Sequence, residues 1–276
     1  MPEMLETKKP PVVMTIAGLD PSAGAGALAD IKTIAAFGCY GVAVVTSLTF
    51  QNTLGVLGAR HQSADTVRRQ MNALFDDFEI AAIKTGMLPT REIVAEVAAI
   101  IKAKSVPIVV VDPVLKSTSG FEMVDENVAE AIRDHLFPLA SVITPNVAEA
   151  QFFLDEEIHF LTDVQRAAQK MLVMGSRAVL ITGGDVVSES STDVLADGDG
   201  CCTYSVDRID SRNTHGTGCT LASAVACLLA TGHDLREAIP IAKRYIAEAI
   251  LGGPRIGHGA GPLNHFPNVV NENLTD

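Results

Sequence analysis

The chain has 276 residues, of which 47% are hydrophobic and 20% are charged, a composition typical of a folded globular protein and not of disordered, collagen-like or coiled-coil chains. This length can bury a sizeable core. The formal net charge is −12, from 21 basic and 33 acidic residues, and Lys and Arg never cluster beyond a pair. The charge pattern therefore argues against nucleic-acid binding and against binding to anionic membranes.

The cysteines and the N-terminal sequence indicate the cellular compartment in which the protein is expected. The five cysteines are odd in number and lack the CxxC spacing of a metal site. The polar N-terminus and the short apolar run Val12–Ala17 do not make a signal peptide. No apolar stretch reaches the ~18 residues of a membrane-spanning helix. We therefore expect a reduced, soluble, cytoplasmic protein.

Short apolar runs alternate with helix-like segments along most of the chain. The runs are rich in Val and Ile, as expected of strands buried on both faces of a parallel sheet. They are Val12–Ala17, Val42–Leu48, Ile80–Ile83, Pro107–Val111, Val142–Thr144 and Ala178–Ile181. The segments with helical spacing are Ala25–Phe37, Ala64–Phe78, Arg91–Lys102, Val124–Leu136, Val147–Leu154 and Asp163–Met174. This order predicts an α/β fold, a three-layer sandwich with a mainly parallel central sheet flanked by helices.

The pattern changes towards the C-terminus. Two short strands, Asp193–Ala196 and Cys201–Val206, flank a turn of alternating Asp and Gly and are predicted to form a hairpin. Two helices follow, Cys219–Ala230 and Leu235–Leu251, and then a Gly/Pro-rich segment, Gly252–Pro262. Because the sequence contains neither a linker nor an internal repeat, we expect residues 1–276 to form one domain.

Two common nucleotide-binding patterns are incomplete or absent. Residues Gly24–Ala29 match the G-x-G-x-x-A dinucleotide fingerprint, but the preceding strand ends near Ala17 and no acidic residue occurs between Asp30 and Asp65. The fingerprint needs a strand leading directly into the turn and an acidic residue ~20 positions later. The chain also lacks a Gly-Lys pair and therefore a Walker A motif. Neither kind of nucleotide site is predicted.

The most informative segment is Asn213–Thr220, Asn-Thr-His-Gly-Thr-Gly-Cys-Thr, at the start of an apolar helix. Backbone N–H groups at a helix start lack intrahelical partners and lie at the positive end of the helix dipole, so they bind anions. Small residues let an anion approach the backbone of Gly216, Thr217 and Gly218. Cys219 lies in the first turn, where a helix N-terminus lowers the pKa of a thiol. The segment predicts an anion site with Cys219 as a base or neighbour of the anion; the alternative is a buried cysteine packed under a glycine turn.

This segment resembles the anion-binding signature of the ribokinase-like superfamily, in its hydroxymethylpyrimidine/phosphomethylpyrimidine kinase family, where cysteine replaces the more common aspartate. Further blocks match in the same order over most of the chain, from Val12 to Phe266. They are Thr15–Ser22, Ala29–Thr33, Thr46–Thr53, Ile83–Leu88, Val111–Val114, Ile143–Asn146 with Glu149, and Gly261–Phe266. Several ordered blocks make the resemblance more specific than any single motif.

The resemblance implies a ribokinase-like fold and an ATP-dependent phosphotransferase. The enzyme would phosphorylate hydroxymethylpyrimidine and then its monophosphate in thiamine biosynthesis, with Mg²⁺ as cofactor, and would form a homodimer. The carboxamide of Gln51 offers an acceptor and two donors that match the amine and ring nitrogen of an aminopyrimidine. The implied pyrimidine-binding residues are Gly18, Asp30, Gln51, Met87 and Val114.

The resemblance also implies where the nucleotide and the metal would bind. Asp112 and Glu149 would hold Mg²⁺, which prefers one or two carboxylates together with waters and substrate phosphates. Asn146 has the simpler interpretation of a helix N-cap. Thr182 and Thr118 stand where the family often has lysine, so phosphate binding would depend more on Mg²⁺ and on backbone N–H groups. The implied nucleotide-binding residues are Asp112, Asn146, Glu149, Thr182 and Lys243.

Two alternative functions stay open at this point. A pyridoxal or pyridoxine kinase of the same branch would act on a hydroxymethylpyridine; Gln51 argues against it, and Thr182-Gly183-Gly184 argues weakly for it. The second alternative is a non-catalytic small-molecule binding protein on the same fold. A degraded anion turn or lost acidic residues would favour that protein, but both features are intact in this sequence.

Overall fold

The computed structural model describes residues 9–117, 120, 122–184 and 190–267. Within these residues, nine strands form one sheet. The strands are β1 Val12–Leu19, β2 Tyr40–Asn52, β3 Gly55–His61, β4 Ile80–Thr85, β5 Ile108–Val111, β6 Val142–Ile143, β7 Ala178–Ile181, β8 Ser190–Asp197 and β9 Gly200–Asp207. The helices are α1 Gly26–Ala36, α2 Ala64–Phe75, α3 Arg91–Lys104, α4 Glu126–Ala131, α5 Val147–Leu154, α6 Leu161–Leu172, α7 Thr217–Ala230 and α8 Leu235–Leu251.

The sheet has a parallel centre and antiparallel margins. Its strand order is β3-β2-β1-β4-β5-β6-β7-β8-β9. The run from β2 to β7 is parallel, whereas β3 pairs antiparallel with β2, and β8 and β9 continue antiparallel from β7. Parallel neighbours need crossover connections, and the helices supply them.

Alternate residues of β1 contribute to two hydrophobic clusters, one on each face of the sheet. Val13 packs with residues of α1, α7 and α8, whereas Met14 packs with residues of α2 to α6. This alternation is that of a strand buried on both faces. The predicted three-layer α/β sandwich is confirmed.

The edge strand β3 was not predicted from the sequence. It contains two glycines and no regular alternation of apolar and polar residues, so its pattern carries no strand signal. Pairing with the end of β2 holds it in place, with Phe50 opposite Gly58. The same pairing extends β2 to Asn52, beyond the predicted end at Leu48, and places Gln51 on a strand.

Two other elements differ from the prediction in length. The helix predicted over Val124–Leu136 is α-helical only over α4 and continues as one π turn, Ile132–Leu136. This change of helix type allows Ile132, Leu136 and Phe137 all to be buried. The predicted hairpin is confirmed as β8 and β9, which are longer than expected and turn at Gly198-Asp199.

The parallel strands end at one edge of the sheet. Asp20 follows β1, Gly86 follows β4, Asp112 follows β5 and Thr144 follows β6. Ligands of open α/β sheets bind outside the carboxyl ends of the strands. This edge is therefore where the candidate site is expected.

Candidate active site

A cavity of about 710 Å³ opens at the carboxyl edge of the sheet. Its volume lies in the range of small-molecule sites. All the site residues predicted from the sequence except Asp30 line it. They are Gly18, Gln51, Met87, Asp112, Val114, Asn146, Glu149, Thr182, Gly216, Thr217, Gly218, Cys219 and Lys243.

Asp30 requires a correction, because the structure does not place it at the cavity. Its side chain is fully buried beneath α7. One carboxylate oxygen accepts from Thr15 Oγ1 at 2.6 Å, and the other accepts from Ser223 Oγ at 2.8 Å. Lys84 Nζ lies 3.0 Å from both oxygens. Protein groups therefore bind both oxygens of Asp30, and the residue does not line the cavity.

The anion turn, Gly216–Cys219, opens helix α7. Gly216 has a φ of +84°, and a Cβ added there would lie 2.0 Å from the carbonyl oxygen of Gly24. Only glycine therefore fits, and the turn packs directly on the loop that follows β1. Thr220 N–H donates back to the Gly216 oxygen, whereas Gly218 and Cys219, in the first helical turn, have no intrahelical acceptor for their N–H groups. The turn presents these N–H groups at the positive end of α7.

The Cys219 thiol differs from the prediction made for it. Burial raises its pKa to about 12, and the nearby carboxylates of Asp112 and Asp30 add to the rise, while the Lys84 ammonium opposes it. The expected lowering by the helix N-terminus is outweighed by these surroundings. At neutral pH, Cys219 is a thiol in the free protein.

Asp20 connects the loop after β1 to the anion turn. Its Oδ2 atom lies 2.9 Å from His215 Nε2 and also accepts from Ala25 N–H at 2.9 Å, while Oδ1 accepts from the N–H and hydroxyl of Ser22. Burial raises the pKa of Asp20, but the hydrogen bonds from His215 and Ser22 outweigh it and lower the pKa to about 2. The carboxylate is ionised and holds both loops. Asp20 and His215 were assigned no role from the sequence.

Asn146 and Glu149 form a capping box at the start of α5. The Asn146 side chain accepts from Glu149 N–H at 2.8 Å, and Glu149 Oε2 accepts from Asn146 N–H at 2.9 Å. The N-cap interpretation of Asn146 is confirmed. The second oxygen of Glu149 accepts from Leu115 N–H at 3.4 Å. The capping box thus fixes the Glu149 carboxylate at the cavity wall.

Asp112 has an oxygen without a hydrogen bond. Its Oδ2 atom is buried and has the Lys84 ammonium 3.8 Å away, but it accepts no hydrogen bond among the described residues. Burial raises the pKa of Asp112 to about 6, against the opposing effect of the Lys84 ammonium. An orphaned carboxylate oxygen beside a cavity is a ready ligand for a cation. The group is mostly ionised at pH 7.

Lys84 was also missed by the sequence analysis, although its block was noted. The side chain is fully buried at the end of β4, between Asp30 and Asp112. Burial lowers the pKa of Lys84, but the Asp30 carboxylate and its neighbours outweigh it, and the net shift is upward. A lysine inside an apolar strand needs a buried partner, and that signal was present in the sequence Ile80–Thr85.

The far end of the cavity is lined by Thr182 and by an ion pair from β8 and α8. Lys243 Nζ lies 2.7 Å from Asp193 Oδ2, and Asp193 Oδ1 accepts from Gly183 N–H at 3.1 Å. Burial raises the pKa of Asp193, and the Lys243 ammonium opposes the rise. Lys243 therefore stands at the cavity wall, which Thr182 also lines. Thr118, which the resemblance pairs with Thr182 as a position of an altered lysine, lies outside the described residues.

Gly18 and Met87 form an apolar part of the cavity wall. A Cβ at Gly18 would lie 3.1 Å from Met87 Sδ, so glycine lets β1 approach that side chain. Thr46 Oγ1 donates to the Met87 carbonyl at 2.7 Å and fixes its backbone. Gln51, half-buried near the end of β2, adds a carboxamide to the cavity.

The Gly/Pro-rich segment, Gly252–Pro262, connects the β2–β3 turn with the anion turn. Thr53 Oγ1 accepts from the N–H groups of His258 and Gly259, at 3.1 and 3.3 Å. Gly261 accepts from His215 N–H at 3.2 Å, and its own N–H donates to Arg212 O at 2.9 Å. The segment therefore links the strand end that carries Gln51 to the residues just before the turn.

Across the described ranges, no helix combines the length and the apolar character needed to cross a membrane. The same residues contain no group of three or more His, Cys, Asp and Glu side chains that could hold a metal.

Comparison with known proteins agrees with this geometry. The family model for phosphomethylpyrimidine kinase matches residues 20–264. A hydroxymethylpyrimidine/phosphomethylpyrimidine kinase of Streptomyces coelicolor is 42% identical over 93% of this chain and 94% of its own. The thiamine biosynthesis bifunctional protein ThiED of Geobacter sulfurreducens is also 42% identical, over 92% of this chain, but this chain spans only 52% of that longer protein.

Solved structures with the same architecture come from both branches considered above. A pyridoxal kinase of Bacillus subtilis in complex with ADP is 36% identical with a TM-score of 0.85, covering 93% of this chain and 97% of its own. A phosphomethylpyrimidine kinase of Clostridium difficile is 36% identical with a TM-score of 0.78, covering 87% and 99%. The fold is ribokinase-like, as predicted. On the match to its family model and to these relatives, the chain belongs to the phosphomethylpyrimidine kinase family.

Proposed function

We propose that this protein transfers the γ-phosphoryl group of ATP to the hydroxymethyl group of an aminopyrimidine, and then a second phosphoryl group to the resulting monophosphate, in thiamine biosynthesis. The observation that carries the proposal is that one cavity joins the anion turn to the Gln51 carboxamide. A phosphoryl acceptor held by Gln51 would therefore lie in the same cavity as backbone N–H groups that bind phosphate. The names of the family and of the relatives support the same activity.

The anion turn supplies electrostatic stabilisation. In the first transfer, the hydroxymethyl oxygen bonds to the γ-phosphorus, the bond to the β-phosphate oxygen breaks, ADP leaves and the alcohol loses its proton. Negative charge spreads over the phosphoryl oxygens, and preorganised N–H donors at the start of α7 stabilise it. Gly18 and Met87 supply an apolar surface to the same cavity, suited to the face of a pyrimidine ring.

The proton of the alcohol leaves next to Cys219 and Asp112. Cys219 is a thiol in the free protein because its pKa is raised to about 12. It therefore takes the proton only if bound substrate brings its pKa down. Otherwise the proton passes to solvent water, and Cys219 shapes the turn. The second transfer needs no such base, because a phosphate monoester is already mostly ionised, its second pKa being about 6.

Mg²⁺ belongs to the proposal as a cofactor held by Asp112 and Glu149. The residues fit, because Asp112 Oδ2 is a buried oxygen without a hydrogen bond among the described residues and Glu149 is fixed at the cavity wall. Two carboxylates suit an ion that takes its remaining ligands from waters and phosphates. When bound, Mg²⁺ would neutralise charge on the β- and γ-phosphates. Asn146, Thr182 and Lys243 are the nucleotide-side residues in this proposal.

A pyridoxal kinase is the second candidate, since the Bacillus subtilis relative carries that name. Gln51 favours the pyrimidine, because its carboxamide pairs with an amine and a ring nitrogen. The test is a side-by-side assay with ATP, Mg²⁺ and either hydroxymethylpyrimidine or pyridoxal, with products identified by mass spectrometry. We expect faster turnover of the pyrimidine; turnover of pyridoxal alone would overturn the assignment. A rate of ATP consumption that depends on neither Mg²⁺ nor the pyrimidine would argue against the proposed kinase activity.

The homodimer, the cytoplasmic location and the single domain over residues 1–276 stay predictions from the sequence and the family. Small-molecule substrates and ATP are the partners that the cavity supports. Size-exclusion chromatography with light scattering tests the dimer.

A further inference from the structure

The ammonium of Lys84 is buried where a strand would normally carry an apolar side chain. The residue is 0% exposed at the end of β4. Nζ lies 3.0 Å from both carboxylate oxygens of Asp30. Taking two charges out of water costs several kcal/mol per ion, so such a pair needs good geometry and further hydrogen bonds. Asp30 has both.

Two other elements fix this ion pair in place. Thr15 on β1 and Ser223 on α7 donate hydrogen bonds to Asp30, so the carboxylate cannot rotate away from Lys84. Gly86 makes room for the ammonium, since a Cβ there would lie 3.0 Å from Nζ and 3.2 Å from Ala17 Cβ. The backbone of Gly86 does not itself require glycine, because its φ lies outside the left-handed region. The glycine is explained by the space that Lys84 needs.

Lys84 also faces the cavity side of the protein through Asp112. Nζ lies 3.8 Å from Asp112 Oδ2, the oxygen without a hydrogen bond among the described residues. Asp112 lines the cavity together with the anion turn, and Cys219 is its neighbour. Any phosphate bound at the turn therefore meets a carboxylate at close range. Lys84 is the nearest described cation to that carboxylate.

We propose that Lys84 is a positioning residue for phosphoryl transfer, whose buried charge holds the Asp112 carboxylate in place and offsets its repulsion of the phosphates at the anion turn. The proposal rests on the proposed function for its kinetic part. Lys84 does not line the cavity and does not touch substrate. It acts through Asp112.

A purely structural role would not need the charge. Buried ion pairs can often be replaced by neutral side chains of similar size without loss of stability, whereas removing one partner alone is strongly destabilising. The double variant Lys84→Met/Asp30→Asn removes both charges together. The amide oxygen of the asparagine introduced by Asp30→Asn can still accept from Thr15 or Ser223. This variant therefore removes the effect of the Lys84 charge on Asp112 and is expected to leave the stability of the fold intact.

The experiment compares the wild type, Lys84→Met/Asp30→Asn, Gly86→Ala and the control Lys170→Met, whose exposed lysine pairs with Glu156 on the surface. We expect the double variant to keep its melting temperature within a few degrees. Its kcat should fall about 10²-fold, comparable with the loss of a preorganised electrostatic contact, with an unchanged KM for the pyrimidine. Gly86→Ala presses on Nζ while keeping both charges, and its kcat should fall less. Lys170→Met should match the wild type.

A binding measurement keeps the proposal testable apart from the activity. Calorimetry with a non-hydrolysable ATP analogue in EDTA reports the repulsion directly, without metal or acceptor. We expect about tenfold weaker binding to the double variant than to the wild type, which corresponds to about 1.4 kcal/mol. Absence of kinase activity in the wild type would refute the proposed function and leave this comparison intact.

Two results would overturn the proposal. One is a folded double variant with wild-type kcat and wild-type affinity for the analogue, which would reduce Lys84 to a structural residue. The other is an equal rise of the pyrimidine KM and fall of kcat in Gly86→Ala and in the double variant, since that would indicate general distortion of the cavity. If the double variant does not fold, Gly86→Ala replaces it. Wild-type kcat together with wild-type affinity for the analogue in Gly86→Ala would then overturn the proposal.

Discussion

The Nε2 atom of His215 lies 2.9 Å from Oδ2 of Asp20, and this contact spans 195 residues of sequence to join the loop after β1 to the anion turn. The same carboxylate oxygen accepts from Ala25 N–H just before α1. One buried side chain therefore fixes two backbone segments at the cavity. Disturbing it should affect both stability and phosphate binding.

The Asp20→Asn variant should lose stability in a pH-dependent way. The folded protein lowers the pKa of Asp20 from 3.8 to about 2, so the ionised group stabilises the fold above pH 3.8 and the contribution is lost as the pH falls towards 2. A shift of this size corresponds to roughly 2 kcal/mol at pH 7. Urea unfolding at pH 7, 4 and 2.5 measures it. A difference in unfolding free energy between the wild type and Asp20→Asn that stays constant over this pH range would contradict the lowered pKa of Asp20.

Gly216→Ala should be far more damaging than Gly218→Ala. Alanine at 216 combines a φ of +84° with a Cβ 2.0 Å from Gly24 O, whereas a Cβ at 218 meets nothing within 4 Å. Backbone strain at such a site costs about 1–3 kcal/mol, before the clash is counted. Thermal unfolding of the two variants tests this. Equal melting temperatures would show that the two loops do not pack as described.

Cys219→Ala should slow the first and the second phosphorylation by similar factors. Burial raises the pKa of Cys219 to about 12, so the free protein holds a thiol that shapes the anion turn and does not act as a base. A positioned base would matter in the first step alone, where the alcohol must lose a proton and such a base typically contributes about 10²–10⁴-fold, because the monophosphate is mostly ionised already. The two kcat values are measured separately, with hydroxymethylpyrimidine and with its monophosphate. A loss confined to the first step would instead show that bound substrate turns Cys219 into the base.

Activity should depend steeply on Mg²⁺. The chain carries a net charge of −12, and its substrates are also anionic, so overall charge cannot attract them. The neutral Thr182 lines the part of the cavity proposed for the nucleotide, so it adds no positive charge there. A titration of Mg²⁺ at fixed ATP measures the dependence, and Asp112→Asn should raise the concentration needed for half-maximal rate. Full activity in EDTA would refute this prediction.

The site roles of Asp112, Asn146 and Met87 were predicted from the family resemblance. Each of the three follows a buried apolar run, and such strand ends meet at one edge of a sheet, which explains why the structure brings them together. The anion turn was predictable from the sequence alone, because the glycines of Asn213–Thr220 come directly before an apolar helix, where free N–H groups bind anions.

Residues whose partners lie far along the chain were not predictable. Asp30 looked like a substrate ligand on a helix, but Ser223, 193 residues away, and Lys84, 54 residues away, bind its carboxylate. The pKa of Cys219 was not predictable either, because the rise caused by burial outweighs the lowering expected from the helix N-terminus. In both cases the packing of α7 decides, and no local pattern encodes it.

The Gly/Pro-rich segment also joins parts of the chain that are far apart in sequence. Thr53 and His215 are 162 residues apart, and both are hydrogen-bonded to this one segment, through His258, Gly259 and Gly261. The cavity therefore has its β2 end and its anion turn held by residues that come after every residue proposed to bind substrate. A shift of this segment would change the position of both at once.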